Sequence, residues 1–286
     1  MKKINNIFLK KKILIYGLGK SGISTYNFLR QKAKVNLFDD NPKNNFRFDK
    51  KNLSLAKILQ SFFDFIIISP GIDVSKCKLS KYLKQNSSKV YTDLDVFCTF
   101  FSNDSVTITG TNGKSTTAKL LYDVLSDQKK DARLVGNIGN PILSEKKITK
   151  KTFFVIEASS YQLEYSKIFK SKYSVILNIT PDHIERHKSF KNYIKAKFRL
   201  IDSQSTKSVA FVKRNDPVIV KKLRSKKYKQ KIIKIDTSLQ PPIFKKIRNT
   251  YFMSSGNREN LIFVLKICKI LKLNEEKILR TINKFK

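Results

Sequence analysis

Short apolar runs alternate with longer amphipathic stretches along most of the chain. "KILIYG" (residues 12–17), "KVNLFDD" (34–40) and "DFIIISPGI" (64–72) are apolar and β-branched, and each is stopped by glycine, acid or proline. "KVYTDLDVF" (89–97) reads as a further strand, the last of this part. From residue 105 the pattern restarts with "SVTIT", "TFFVIE", "KYSVILN", "SVAFVK" and "KIIKID". After "SVTIT" the spacing predicts a helix whose inner face is Ala118, Leu120, Leu121, Val124 and Leu125. "ENLIFVLKICKILKL" and "NEEKILRTINKF" carry the same 3.6-residue period, the second with Asn274 as N-cap and acids in its first turn. Strands separated by helices imply parallel sheets, which bind ligands beyond the carboxyl ends of their strands. The expectation is an α/β protein of two domains: residues 1–98, Rossmann-like, and residues 99–286, of the P-loop ATPase type.

Composition narrows the class. No stretch approaches the ~20 apolar residues of a membrane span. The basic start "MKKINNIFLKKKILIYGLG" runs into a glycine loop without a small-residue cleavage site, so it reads as a first strand and not as a signal peptide. Cys77, Cys98 and Cys268 are odd in number, far apart and without metal-ligand spacing, which fits a reduced, cytoplasmic chain. The formal charge of +37 would suit a nucleic-acid binder, but the lysines are spread throughout and no nucleic-acid module is legible. Abundant Lys, Ile, Asn and Phe with no Trp point instead to compositional drift. No specific nucleic acid or membrane partner is expected.

Two phosphate-loop patterns stand out, and the nine glycines concentrate in them and a few other punctuating stretches. The first is G-x-G-x-x-G at Gly17, Gly19 and Gly22, with Asp39 closing the next strand, the pattern of a dinucleotide site. By itself it allows a NAD-dependent oxidoreductase. The second is "TGTNGKSTT". It departs from G-x-x-x-x-G-K-[ST] because position 108 is Ile, yet its working parts survive. Gly110 and Gly113, with Thr111 and Asn112 between them, free backbone N–H groups for phosphate oxygens. Lys114 supplies a cation, and Ser115 or Thr116 can reach Mg²⁺. About forty residues on, Glu157 ends a buried strand, as a second metal ligand should. His183 and His187, the only histidines, lie in "NITPDHIERH". Asp182 and His183 suit the same magnesium and phosphate cluster.

"GTNGKST", "GNIG", "EASSYQLE", "TPDHIERH" and "AKFRL", in that order, resemble the Mur ligase family of peptidoglycan synthesis, over essentially the whole chain. "GLGKSG" together with "SSYQLE" points within it to ligation of D-glutamate to UDP-N-acetylmuramoyl-L-alanine. A sister ligase, including the folylpolyglutamate type, is the nearest alternative. The resemblance implies that the first loop holds UDP and the second ATP. The UDP-substrate contacts would then be Lys20, Ser21, Asp39, Asp40, Asn41 and Gly71, with Asn137 and Ser159 at the muramoyl-alanine end. It implies two Mg²⁺ held by Ser115, Glu157, His183 and Lys197, the last as a carbamate, and Asn260 on adenine. It also implies a monomer and a reaction through an acyl phosphate. Where the family's adenine motif carries His, this chain has Gly256. The family continues beyond "ILRTINKFK" into a third domain, so residues 1–286 alone are expected to bind UDP-substrate, to bind ATP weakly, and to turn over poorly or not at all.

Overall fold

The computed structural model describes residues 6–45 and 51–286; the first five residues of the basic start lie outside it. By contacts the chain divides into two compact units. The first comprises residues up to 102 together with 140–146 and 161–169, and the second the remainder. No pattern in the sequence signals that the two short later segments belong to the first unit.

The first unit is built on a four-stranded parallel sheet of order β2-β1-β3-β4, from β1 (Lys12–Tyr16), β2 (Lys34–Phe38), β3 (Phe65–Ile68) and β4 (Val90–Tyr91). Helix α1 (Lys20–Leu29) follows the first glycine loop. Short helices α2 (Pro42–Asn45), α3 (Leu55–Leu59) and α4 (Ser80–Gln85) fill the crossovers. The expected strand "KVYTDLDVF" is corrected by the structure: only Val90 and Tyr91 pair, and Asp93–Phe100 is helix α5. Local capping chemistry decides this, since Asp95 at the third helical position reaches back to accept the N–H of Thr92 at 3.0 Å. Leu14, Ile66, Ile68, Phe63, Leu79 and Leu83 form the unit's core.

The second unit holds a six-stranded parallel sheet of order β10-β9-β8-β5-β7-β6. Its strands are β5 (Ser105–Thr109), β6 (Ala132–Gly136), β7 (Phe153–Glu157), β8 (Tyr173–Ile176), β9 (Val209–Lys213) and β10 (Lys231–Ile235). Its helices are α6 (Lys114–Asp127), α8 (Ile184–His187), α9 (Phe190–Asp202) and α10 (Pro217–Arg224), while α7 (Ser160–Tyr165), between β7 and β8, belongs all but its first residue to the first unit. The chain closes with α11 (Ser255–Ile270) and α12 (Glu275–Lys284), the latter capped by Asn274 as its sequence predicts. The five predicted apolar positions of α6 are all buried, and they pack with α11 and α12 on one face of the sheet. Tyr193, Phe198, Ile201 and Ile219, from α9 and α10, form a second core with Ile176, Ala210 and Val212. Each such side chain, fully buried, contributes roughly 1.5–3 kcal/mol. Strand β5 lies mid-sheet: the chain leaves it for the β6 edge and later crosses from β7 to β8 on its other side, so the strand order switches direction beside β5, where open parallel sheets bind ligands. Among the described residues no helix is long and apolar enough to cross a membrane, and all three cysteines are free thiols.

Candidate functional site

The site of the second unit is assembled from the tips of three adjacent strands. In register, Ile108 of β5 lies beside Glu157 of β7, and Thr109 beside Ile176 of β8. Beyond Thr109 the chain turns through Gly110–Gly113 into α6. Gly113 has φ +83°, and a Cβ there would fall 2.1 Å from Asn260 Oδ1, so only glycine lets buried Asn260 seat against the loop. This brings two of the predicted nucleotide residues together.

Lys114 curls back over its own loop, its Nζ donating to the carbonyls of Gly110 (3.1 Å) and Thr111 (2.8 Å). Lys197, from α9, donates to the same Gly110 carbonyl at 2.6 Å. Two ammonium groups thus share one acceptor. Lys197 is 1% exposed and lies 4.6 Å from the centre of the Tyr193 ring. Burial, and then the charge of Lys114, push its amine down to about 7, partly opposed by Asp182. Neighbouring Lys195 is exposed and shows no such environment. Two lysine side chains drawn onto one loop carbonyl concentrate positive potential at the loop, which favours an anionic ligand.

Glu157 is fully buried. Its Oε1 accepts from Asn137 Nδ2 at 2.7 Å, while Oε2 has no hydrogen-bond partner. A buried carboxylate oxygen left unsatisfied is costly, and a cation is the natural complement. The residues therefore fit a bound metal ion. Among the described residues no group of three or more His, Cys, Asp or Glu side chains gathers into a ready-made metal site. Glu157 therefore cannot hold an ion with other His, Cys, Asp or Glu side chains alone, and further donors of other kinds are needed.

The loop is held by residues that the sequence reading passed over. Asn178 Oδ1 accepts the N–H of Thr111 (3.1 Å) and of Asn112 (2.9 Å), and Asn178 Nδ2 donates to Asn112 O at 3.2 Å. Thr111 Oγ1 meets Tyr193 OH at 3.1 Å and accepts the N–H of Thr180 at 3.0 Å. The only prior signal for Asn178 is its place as the first polar residue after a buried strand.

His183 is exposed, in the left-handed region (φ 52°) at the start of α8, with Nε2 3.4 Å from Asp182 Oδ2. His187, by contrast, is buried; its Nε2 lies 3.0 Å from Ser160 Oγ. Burial, helped by the charges of Arg186 and Lys197, pushes it down to about 4, so the ring stays neutral and structural. Ser115 is exposed and Thr116 half-buried in the first turn of α6, and Ser159 is half-buried just beyond Glu157.

The first unit carries its own loop. A Cβ at Gly22 would fall 1.8 Å from Gly17 O, so α1 packs on the loop without room for any side chain there. Asp39 is buried; its Oδ2 accepts Leu18 N–H at 2.5 Å and Oδ1 accepts Asn41 N–H at 2.8 Å. The carboxylate that marked a dinucleotide pattern thus braces the glycine loop. Asp40 accepts Tyr16 OH at 2.7 Å. Lys20 and Ser21 open α1, and Gly71, exposed beyond β3, has open space where a side chain would stand.

Comparisons with known proteins agree with this geometry. Residues 108–272 match the Mur ligase middle domain, and residues 11–90 the N-terminal domain of the Mur ligase MurD-like type. The UDP-N-acetylmuramoylalanine–D-glutamate ligase of Rickettsia bellii is 32% identical over 98% of this chain and 67% of its own length. The ligase of the same name from Caldicellulosiruptor bescii is 38% identical over 68% of this chain and 45% of its own. Among solved structures, the UDP-N-acetylmuramate:L-alanyl-gamma-D-glutamyl-meso-diaminopimelate ligase of Neisseria meningitides superimposes with a TM-score of 0.62 at 13% identity, covering 96% of this chain and 98% of that one. The UDP-N-acetylmuramate–alanine ligase MurC of Thermotoga maritima gives 0.53 at 15%, covering 96% and 68%. These two speak to the fold. The chain spans about two thirds of the length of the Rickettsia relative. With one family model matching more than half of the residues and a second matching most of the first sheet, this chain belongs to the Mur ligase family.

Proposed function

We propose that this chain provides the UDP-substrate and ATP sites for the ATP-dependent ligation of D-glutamate to UDP-N-acetylmuramoyl-L-alanine, in the cytoplasm and as a monomer. One observation supports the ATP half above all: Lys114 and the buried Lys197, from different helices, converge on the Gly110 carbonyl of the glycine loop. A triphosphate is an anion that suits this loop. The substrate's alanyl carboxylate attacks the γ-phosphorus, ADP leaves, and an acyl phosphate forms. The amine of D-glutamate then displaces phosphate and loses a proton as the amide closes. Phosphoryl transfer of this kind asks the protein mainly for positioning and charge neutralisation.

In this reading Thr111 to Thr116 and Asn260 hold ATP, with Lys114 stabilising the transferring phosphoryl group. Ser115, Glu157, His183 and Lys197 would hold Mg²⁺, whose charge supplies Lewis-acid neutralisation of the phosphates. An amine that titrates near 7 is available to take up CO₂ as a carbamate, which would turn Lys197 from a repelled cation into an anionic metal support. Lys20, Ser21, Asp39, Asp40, Asn41 and Gly71 would seat the UDP, with Asn137 and Ser159 at the muramoyl-alanine end. One nucleotide is then a handle and the other the fuel, so two loops are needed.

Titration calorimetry tests the pairing of loops with nucleotides. UDP-N-acetylmuramoyl-L-alanine and Mg·ATP should bind together and not compete. Lys114→Ala should lose ATP but keep the UDP-substrate, and in a full-length version should cost turnover about 3–4 kcal/mol of transition-state stabilisation. Competition of the two nucleotides for one site, or ATP binding indifferent to Lys114→Ala, would refute the assignment.

A further inference from the structure

Packing alone does not account for Tyr251. It lies in a single 3₁₀ turn, Thr250–Met253, between the last strand and α11. Its ring meets Phe252 edge-on, centroids 5.2 Å apart at 83°, and Phe285 at 5.4 Å and 64°. Two neighbours hold the ring, yet 38% of the residue is exposed. Its hydroxyl lies 3.1 Å from Thr116 Oγ1, in the first turn of α6 and two residues past Lys114. Its carbonyl accepts Asn257 Nδ2 at 3.0 Å, and one turn of helix later Asn260 sits against Gly113. An aromatic ring, a hydroxyl and two amide side chains therefore border the phosphate loop.

A chain of phosphates lying on the N-terminus of α6 has to leave it near the loop's rim, and the nucleoside follows. A braced, partly exposed ring there costs little conformational entropy to order and offers a π face, which every nucleobase can stack on. We infer that Tyr251 is the base shelf of the nucleotide site: its ring stacks on the purine of the bound triphosphate, and its hydroxyl ties that shelf to Thr116. This rests on the reading of the loop as an ATP site. It assigns to this residue a share of the affinity that comes from the base and not from the phosphates.

The two contributions separate by ligand. Mg·ATP and inorganic tripolyphosphate with Mg²⁺ would be titrated calorimetrically into the whole chain, as wild type, Tyr251→Leu and Tyr251→Phe. Leucine keeps an apolar body and removes the π face, so ATP should weaken about tenfold while tripolyphosphate stays within about twofold. Phenylalanine keeps the stack and should hold ATP within about threefold. The chain has 11 tyrosines and no tryptophan, so ATP should quench tyrosine emission, and part of that quench should vanish in Tyr251→Phe. If Tyr251→Leu weakens both ligands equally, the ring merely supports the loop; if it weakens neither, the ring is idle. Either result overturns the inference. A wild type that binds neither ligand is a different outcome, which takes down the triphosphate reading itself and the shelf with it.

Discussion

Replacing Lys197 by methionine should stabilise the fold while removing a group that the proposed chemistry needs. The side chain is 1% exposed, and its amine falls from 10.5 to about 7, chiefly through burial and then through Lys114. At 1.36 kcal/mol per decade of proton affinity, that interval corresponds to about 5 kcal/mol. Between pH 7 and 10.5 the unfolded chain binds a proton that the native state refuses, so stability rises with pH across this window. The whole cost is present at pH 7 and below, and it fades toward pH 10.5. Methionine is of similar length, carries no charge, and forfeits the bond to Gly110, worth ~1.5–3 kcal/mol. The variant should therefore gain about 2–3 kcal/mol at pH 6 and nothing, or lose a little, at pH 10. Urea unfolding in CO₂-free buffer at the two pH values measures both. A variant no more stable than wild type at pH 6, or one with the same pH slope, would show that Lys197 is not a desolvated cation.

Three further substitutions probe other parts of the structure. Gly113→Ala places a methyl group on Asn260 at a positive φ and should cost at least ~2 kcal/mol and most of the ATP affinity, read by thermal unfolding and calorimetry. Asp95→Ala removes the acceptor for Thr92, Ser166 and the N–H groups of Lys167, Ile168 and Phe169, and should cost ~3–5 kcal/mol and open residues 161–169 to limited proteolysis. Asp93 is raised to about 6, mainly by burial, so the native state keeps a proton that the unfolded chain releases between pH 3.8 and 6. Stability then falls as pH rises through that window, and Asp93→Asn should abolish the fall and gain up to about 3 kcal/mol at pH 7 in urea titrations.

The parallel sheets were legible because buried strands read as continuous β-branched runs and their crossovers as 3.6-residue patterns. "KVYTDLDVF" misled because its alternation imitates a strand, while the decisive element was a cap at Thr92 and Asp95. The glycine loop proposed to hold ATP stood out in the sequence through Gly110, Gly113 and Lys114, since a backbone that must approach phosphate leaves few residue choices. Its supports did not. Asn178 and Tyr251 reach the loop through hydrogen bonds and ring contacts between residues far apart in sequence, which only the third dimension assembles and no local periodicity encodes. Lys197 is the extreme case. Among 59 basic residues it was distinguishable only through family resemblance, whereas burial separates it at once from Lys195.

The Asp95 carboxylate also bears on how the protein is made. It is wholly buried, and four of its donors come from residues 166–169, some seventy positions downstream. A nascent chain that has emerged only as far as residue 102 has every strand of the first sheet but none of those four donors. The N-terminal unit therefore gains this clasp only once about three fifths of the chain has been made. Any fragment cut near residue 100, the natural place by strand count, carries a hole where its clasp belongs.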